Sequence, residues 1–255
     1  MQVSMENLLP GAYWLEQTQR DVPSGDEWLS AAERSVVAKI RVPKRRADWL
    51  LGRWTTKRAS ASQLCRTPDL ETLARFEVRP ASSGAPQLFV DGTRSPLEIS
   101  ISHSDGVSLC VLATVEIGCD IETVEPRSAA FVSDYFTASE QERIAIVPGE
   151  QRDLIVNLIW SAKESAMKAL HEGLRLDTRS FNVTVTNLVP QASWSPIQVS
   201  HCSGQPMVGW WRFQERMVRT IVSPHSTGDP QRFELSGDEL SCNSSGLPLT
   251  FTLRA

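Results

Sequence analysis

The pattern of apolar and polar positions is clearest between residues 153 and 172, where it predicts a helix. Apolar and charged side chains recur there at positions i, i+3, i+4, i+7 and i+8 and so share one face: Trp160, Lys163, Glu164, Met167 and Lys168. Gly173 is expected to end the helix, because glycine tolerates the left-handed conformation that follows many helices. Charge on a partly apolar face favours a functional site. The alternative is a solvated helix with ordinary Lys–Glu surface pairs.

Alternating apolar and polar residues predict strands on both sides of this helix. Upstream strands are expected near residues 12–15, 97–104, 107–113 and 117–122, and the last two are expected to form a hairpin. Downstream strands are expected at residues 181–186, 197–200, 208–214, 217–222 and 249–253, with an edge strand near Phe233. Residues 59–98 are interpreted as a linker followed by a strand, and residues 133–146 as one or two short helices. Helix and sheet thus occur in each of two successive halves, which indicates an α+β fold.

Two acidic residues lie two positions apart in the strand predicted at residues 117–122. Asp120 and Glu122 therefore point to the same face, while Cys119 and Ile121 point to the other. Like charges this close repel each other, and a bound cation relieves the repulsion. Two interpretations stay open at this point: a metal site, and a strand end whose acids are simply solvated.

A basic segment extends from residue 34 to residue 58, where nine lysines and arginines accompany one acid, Asp48. Pro43 suits the first turn of a helix, and Trp49 and Trp54 are expected on its buried side. Such a face suits phosphate groups, because arginine offers two parallel donors and lysine a mobile point charge. A solvated basic helix is the alternative.

Composition excludes several classes of protein. With 255 residues, of which 41% are hydrophobic and 22% charged, the chain is long enough to bury a sizeable core. The net charge of −4 argues against a general binder of nucleic acid or anionic membranes. The five cysteines are scattered without a C-x-x-C pair, so neither a disulfide framework nor a zinc site is expected. The first residues lack a basic n-region, no run of 18 or more apolar residues occurs, and we expect a soluble cytoplasmic protein.

Two of these segments together match a known pattern. The run Gly118-Cys119-Asp120-Ile121-Glu122, followed about forty residues later by Trp160-Ser161-Ala162-Lys163-Glu164 and Lys168, resembles the hallmark of the Sfp-type 4′-phosphopantetheinyl transferases. The resemblance covers roughly residues 44–185. It implies a pseudo-twofold pair of α/β subdomains, residues 1–122 and 123–255. Each would have a small, mainly antiparallel sheet on a long helix, with the active site in the cleft between them.

Three further segments carry the resemblance. The basic run from Arg45 and Arg46 to Arg53 is similar to the segment that the family uses against the phosphates of coenzyme A, with the first arginine in either register. Gly84 and Pro86 resemble the turn near the adenine and phosphate end of coenzyme A. The chain departs from the pattern there, since Ser83 and Ala85 stand where a basic residue is common. The last segment is the Ser-x-Ser-His-Ser element that contains Ser102 and His103.

The resemblance implies a role for each of these residues. Asp120, Glu122 and Glu164 are expected to bind Mg²⁺, with Mn²⁺ as a possible substitute. Phosphate oxygens of the co-substrate coenzyme A are expected to contact Lys163 and Lys168, with His103 and Arg53 beyond them. Glu164 is the expected general base, and Glu164, Lys168 and His103 form the expected catalytic set.

The expected reaction transfers the 4′-phosphopantetheine arm of coenzyme A to a serine hydroxyl of an apo acyl or peptidyl carrier protein and releases 3′,5′-ADP. The region of residues 133–146 is expected to help dock the carrier, and a monomer is expected. Three alternatives remain: another Mg²⁺-dependent phosphotransferase, a non-catalytic module that binds coenzyme A or a carrier protein, and a nucleic-acid binder using residues 34–58.

Overall fold

Two β-sheets with their associated helices make up the part of the chain that the structure describes. The computed structural model describes residues 11–172 and 175–235. The first sheet has the spatial order β11 (Gln231–Arg232), β1 (Tyr13–Thr18), β5 (Val107–Ala113), β4 (Thr93–Ser104), β3 (Pro86–Val90) and β2 (Phe76–Pro80). The second has the order β6 (Gly118–Thr123), β10 (Met217–Ser223), β9 (Pro206–Gln214), β8 (Ser195–His201) and β7 (Phe181–Thr184). Both are antiparallel except for the parallel pairing of β1 with β11.

The described helices divide between these two sheets and their connections. They are α1 (Ala31–Val37), α2 (Pro43–Gln63), α3 (Leu70–Ala74), α4 (Ala129–Tyr135), α5 (Ala138–Ile146) and α6 (Gly149–Ala169). The long helix α2 begins with Pro43 and packs on the first sheet, where Trp54 shares one hydrophobic core with Ile99 of β4 and Leu112 of β5. No helix in the described residues is long and apolar enough to cross a membrane.

The long helix α6 packs on the second sheet and touches β6 backbone to backbone. Ile155 and Ile159 of α6 are fully buried in one core with Val218 of β10. A Cβ atom on Gly118 at the start of β6 would lie 1.8 Å from the Ser165 carbonyl oxygen. Only glycine therefore allows β6 to approach α6 this closely, which brings the acids of the strand beside the charged face of the helix.

The α+β fold class predicted from the sequence is confirmed by the two sheets and their long helices. The predicted hairpin is wrong: β5 pairs with β1 and β4, whereas β6 pairs with β10 in the other sheet. Residues 114–117 thus carry the chain from one sheet to the other. The proposed division at residue 122 remains a prediction. Strand β6, assigned to the N-terminal half, lies in the second sheet, and β11 returns to the first.

Some local predictions need correction. Helix α6 ends at Ala169, and His171 takes the left-handed conformation, with φ of 58°. Gly173, which was expected there, lies outside the described residues, as does the strand predicted at residues 249–253. Residues 59–98 are not a linker, because α2 continues to Gln63 and is followed by α3, β2 and β3. Cys65 is disulfide-bonded, which the scattered cysteines did not predict.

Candidate active site

A cleft of about 990 Å³ brings most of the predicted site residues together. Helix α2 and strand β4 line one side, and β6 and α6 line the other. The cleft is lined by these predicted residues: Arg45, Arg53, Gly84, Pro86, Ser102, His103, Asp120, Glu122, Glu164 and Lys168. Segments that are far apart in the sequence therefore meet at one site.

Asp120 is a buried acid of the cleft, at 4% exposure. Its Oδ1 atom accepts hydrogen bonds from Ser102 Oγ and from Lys168 Nζ, each at 2.7 Å. Its Oδ2 atom is buried and has no hydrogen-bond partner among the described residues. A buried carboxylate oxygen without a donor costs free energy, so Oδ2 is a favourable place for a ligand cation.

Glu122 and Glu164 add two more carboxyl groups to the same side. Glu122 accepts a hydrogen bond of 3.2 Å from Trp160 Nε1, and its Oε2 atom lies 3.4 Å from Arg127 Nη2. Burial and the neighbouring Asp120 and Glu164 raise the pKa of Glu122 to about 7, against the effect of Arg127. Burial also raises the pKa of Glu164; Asp120 adds to this shift and Lys168 opposes it. The protein thus confines more negative charge here than it neutralises.

These three side chains fit a divalent cation by their chemistry. All their donor atoms are oxygen, the type that Mg²⁺ prefers, and one oxygen of Asp120 is buried without a donor. Within residues 11–172 and 175–235, no group of three acidic, histidine or cysteine side chains is arranged to hold a metal ion as it stands. One reason is that the Oδ1 atom of Asp120 already accepts a hydrogen bond from the Lys168 ammonium.

Lys168 forms hydrogen bonds with both side-chain and backbone groups of the cleft. Its Nζ atom donates to Ser102 Oγ and to the Cys119 carbonyl oxygen, each at 3.1 Å, besides Asp120. Burial lowers the pKa of Lys168, but Asp120 and its other neighbours more than offset this effect, and the pKa is raised. The side chain therefore stays an ammonium ion, able to hold an anionic oxygen.

The rest of the cleft lining mixes cations with acids, since Arg45, Arg53 and Arg79 lie there with Glu33, Asp48 and Glu77. Arg53 lies over the Trp49 ring, with 4.6 Å between its Cζ atom and the ring centroid. Arg45 and His103 are exposed at its edge. Arg79 of β2, which was not predicted, also lines the cleft; it stacks 4.2 Å from the Phe89 ring centroid, and its Nε atom donates to Glu77 Oε2 at 2.6 Å. The apolar and polar residues around Arg79 did not indicate a strand, because β2 was interpreted as part of a linker.

The turn between β2 and β3 has the geometry expected for Gly84 and Pro86. Gly84 has φ of 92°, a left-handed conformation that favours glycine, and its N–H donates to the Ala81 carbonyl at 2.9 Å. Pro86 starts β3. Both residues line the cleft, and the Ser83 carbonyl beside them accepts a hydrogen bond from Arg175.

Two predicted residues do not line the cleft. Arg46 is exposed on α2, so of the two alternatives only Arg45 faces this site. Lys163 is fully buried elsewhere: its Nζ atom lies 2.7 Å from Glu140 Oε2 and donates to the carbonyls of Tyr135 and Thr178. The expectation that Lys163 contacts phosphate is corrected by this geometry. Glu164 and Lys168, four residues apart on α6, line the cleft. Lys163 lies about 100° around the helix from Glu164 and so points elsewhere.

Arg127 is a further site residue that sequence reasoning did not single out. It lies near Glu122, its Nη1 atom is 3.0 Å from Glu125 Oε1, and its Nε atom donates to Asn157 Oδ1 at 3.0 Å. No periodicity marks this position, since it follows β6 in an irregular connection. Its contact with Glu122 places a positive charge beside the acidic group.

The comparisons with known proteins agree with the motifs. The family model described as the 4′-phosphopantetheinyl transferase superfamily matches residues 116–215, which include the three carboxylates and Lys168. The 4′-phosphopantetheinyl transferase HetI of Nostoc sp. is 26% identical over 192 residues, 72% of this chain and 79% of that protein. AcpT of Salmonella typhimurium is 30% identical over 52% of this chain and 64% of its own length. Sfp of Bacillus subtilis is 36% identical over 33% of this chain and 38% of its own length. The resemblance predicted from the motifs is confirmed: the chain is similar to proteins of the 4′-phosphopantetheinyl transferase superfamily, a superfamily of enzymes.

Proposed function

We propose that the protein transfers the 4′-phosphopantetheine arm of coenzyme A to a serine hydroxyl of an apo acyl or peptidyl carrier protein and releases 3′,5′-ADP. The observation that carries the proposal is the shared cleft, which Asp120, Glu122, Glu164 and Lys168 line together with several arginines. We retain residues 1–122 and 123–255 as the proposed subdomains.

The cationic side chains of the cleft are the proposed site for the phosphates of coenzyme A. Arg45, Arg53, Arg79 and His103 line the same cleft as the carboxylates. Arginine forms parallel, charge-assisted hydrogen bonds to phosphate oxygens. The turn at Gly84 and Pro86 lacks a basic side chain, and we propose that Arg79 on the adjoining strand, which pairs with Glu77, contacts phosphate in place of a basic residue at Ser83 or Ala85.

Asp120, Glu122 and Glu164 would hold Mg²⁺, with Mn²⁺ as a substitute. When bound, the cation neutralises charge on the pyrophosphate oxygens. In the proposed reaction the serine Oγ attacks the phosphorus that bears the pantetheine arm, and the bond from this phosphorus to the bridging oxygen breaks. The electron pair of that bond leaves with 3′,5′-ADP.

The side chains of the protein have separate tasks in this step. Glu164 takes the proton of the serine hydroxyl, a role that its raised pKa favours because a stronger base accepts the proton more readily. Lys168 stays protonated beside Asp120 and holds an oxygen of the reacting phosphate. His103, exposed at the edge, contacts an outer phosphate group. Lys163 has no direct task, because it is buried away from the cleft.

The region of residues 133–146, which follows the connection after β6, is the proposed docking region for the carrier protein. Phe131 and Tyr135 of α4 contact the Trp160 ring, with centroids 5.0 and 5.2 Å apart, and Tyr135 is 41% exposed. Both walls of the cleft come from one chain, so the site requires no second copy. We therefore propose that the protein is a monomer. We also propose that it acts in the cytoplasm, with neither nucleic acid nor membrane as partner.

The test is the intact mass of apo carrier proteins after incubation with the protein, Mg²⁺ and coenzyme A. The proposal predicts a gain of one phosphopantetheine arm, which Asp120→Asn abolishes. Arg46→Ala is the matched control, because Arg46 is exposed and does not line the cleft. Binding of coenzyme A without any mass gain would favour a non-catalytic module, and phosphate transfer to a different acceptor would favour another phosphotransferase.

A further inference from the structure

Lys57 is a fully buried lysine that the proposed mechanism does not use. It lies one turn beyond Arg53 on α2, and its side chain is 0% exposed. Its Nζ atom lies 2.5 Å from Glu33 Oε2 and donates to the Trp28 carbonyl oxygen at 2.9 Å. A buried ammonium ion is costly, and a well-packed apolar side chain often stabilises such a position equally well.

Glu33 is the carboxylate that Lys57 shares with Arg53. It belongs to α1, is 4% exposed and also lines the cleft. It accepts hydrogen bonds from the backbone N–H groups of Ser30 and Val78, each at 3.1 Å. Its Oε1 atom lies 3.9 Å from Arg53 Nε, which is farther than its contact with Lys57. Glu33 is therefore held in place by two backbone groups and faces two cations.

The charges of Lys57, Glu33 and Arg53 leave the Arg53 guanidinium available to bind another anion. One carboxylate faces two cations, and the nearer cation, Lys57, neutralises it. Arg53 Nε is buried without a hydrogen-bond partner among the described residues, while the Trp49 ring supports the guanidinium from one face. Burial lowers the pKa of both Arg53 and Lys57, and Glu33 opposes this effect in each case. Without Lys57, the Glu33 carboxylate and the Arg53 guanidinium would neutralise each other.

We propose that Lys57 is a positioning residue for substrate binding: by occupying the Glu33 carboxylate, it keeps the Arg53 guanidinium free to bind a phosphate group of coenzyme A. This inference rests on the proposed function and deepens it. It assigns the affinity of the cleft for the co-substrate partly to a residue that the substrate does not touch.

The test compares Lys57→Met, Glu33→Gln and the double variant Lys57→Met/Glu33→Gln in the transfer assay. Lys57→Met is expected to raise the KM for coenzyme A about tenfold, the cost of one charge-assisted contact, with kcat unchanged within about twofold. The double variant is expected to restore the KM, because the neutral amide no longer competes for Arg53. Glu33→Gln alone is expected to leave the KM unchanged or lower.

The matched control is Lys39→Met, which removes a positive charge from an exposed position outside the cleft. Equilibrium binding of 3′,5′-ADP provides a readout without turnover and is expected to follow the KM values. A purely structural role would change the melting temperature of Lys57→Met but not the KM of its folded fraction, and that result would overturn the inference. If Lys57→Met does not fold, a tenfold higher KM in Glu33→Gln overturns it. Absence of transfer by the unaltered protein would instead refute the proposed function.

Discussion

Replacing Glu122 by glutamine removes one negative charge from the acidic side of the cleft and keeps a side chain of nearly the same size. The amide oxygen can still accept the hydrogen bond from Trp160 Nε1. Because burial and two neighbouring carboxylates oppose the ionised form of Glu122, we expect Glu122→Gln to stabilise the metal-free protein. The same change removes a proposed metal ligand, so we expect transfer activity to be lost.

The size of the stability effect follows from the pKa of Glu122. Folding raises this pKa from 4.5 to about 7, so the folded state binds the proton more tightly than the unfolded state. The contribution of Glu122 to the stability of the unaltered protein therefore falls as pH rises from about 4.5 to about 7 and stays level above that window. The shift amounts to a destabilisation of about 1 kcal/mol at pH 5 and about 3 kcal/mol at pH 8. Glutamine, which cannot ionise, avoids this loss.

The assay is urea unfolding of both proteins at pH 5 and pH 8, with EDTA and then with Mg²⁺. We expect the stability advantage of Glu122→Gln in EDTA to be about 2 kcal/mol larger at pH 8 than at pH 5. Mg²⁺ is expected to stabilise the unaltered protein more than the variant. Glu125→Gln is the matched control, because Glu125 also pairs with Arg127 but is 56% exposed. An advantage that does not change with pH, or a variant less stable at pH 8, would refute the reasoning.

Three further changes test other parts of the structure. Gly118→Ala forces a Cβ atom against the α6 backbone, and we expect a loss of about 3 kcal/mol or more in unfolding free energy, measured with urea; an unchanged midpoint would contradict the close approach of β6 to α6. Lys163→Met leaves the buried Glu140 without its ion partner, so we expect a loss of about 3–5 kcal/mol with an unchanged KM for coenzyme A; a higher KM in the folded protein would return Lys163 to the binding site. Arg79→Ala removes one proposed phosphate contact, and we expect the KM for coenzyme A to rise about tenfold, whereas an unchanged KM would remove Arg79 from the site.

The sequence was enough to group the cleft residues Asp120 with Glu122 and Glu164 with Lys168, because each pair is local in the chain. Asp120 and Glu122 are two apart on a strand, and Glu164 and Lys168 are four apart on a helix, so short-range periodicity was enough to place each pair on one face. Periodicity did not separate Lys163 from Glu164. The position of the Lys163 side chain is set by Glu140 and by two carbonyl groups of other elements, which no local sequence pattern contains.

The errors in the fold have the same physical origin. Strand β6 was expected to pair with β5 because short connections usually join hairpins. The close contact of Gly118 with α6 and the pairing with β10 instead direct β6 into the second sheet. Strands β2 and β3 were missed for another reason: they are short and flanked by Pro, Ser and Gly residues, a composition that is typical of loops. Long-range pairing decides both cases.

The central claim is that one phosphopantetheine arm moves from coenzyme A to a carrier serine for each 3′,5′-ADP released. The most direct measurement quantifies both products in one reaction, by the intact mass of the carrier and by chromatography of the nucleotide, with a serine-to-alanine carrier as control. We expect a ratio of one arm to one 3′,5′-ADP with the native carrier and neither product with the control. Release of 3′,5′-ADP without a mass gain, or no reaction with any carrier, would contradict it.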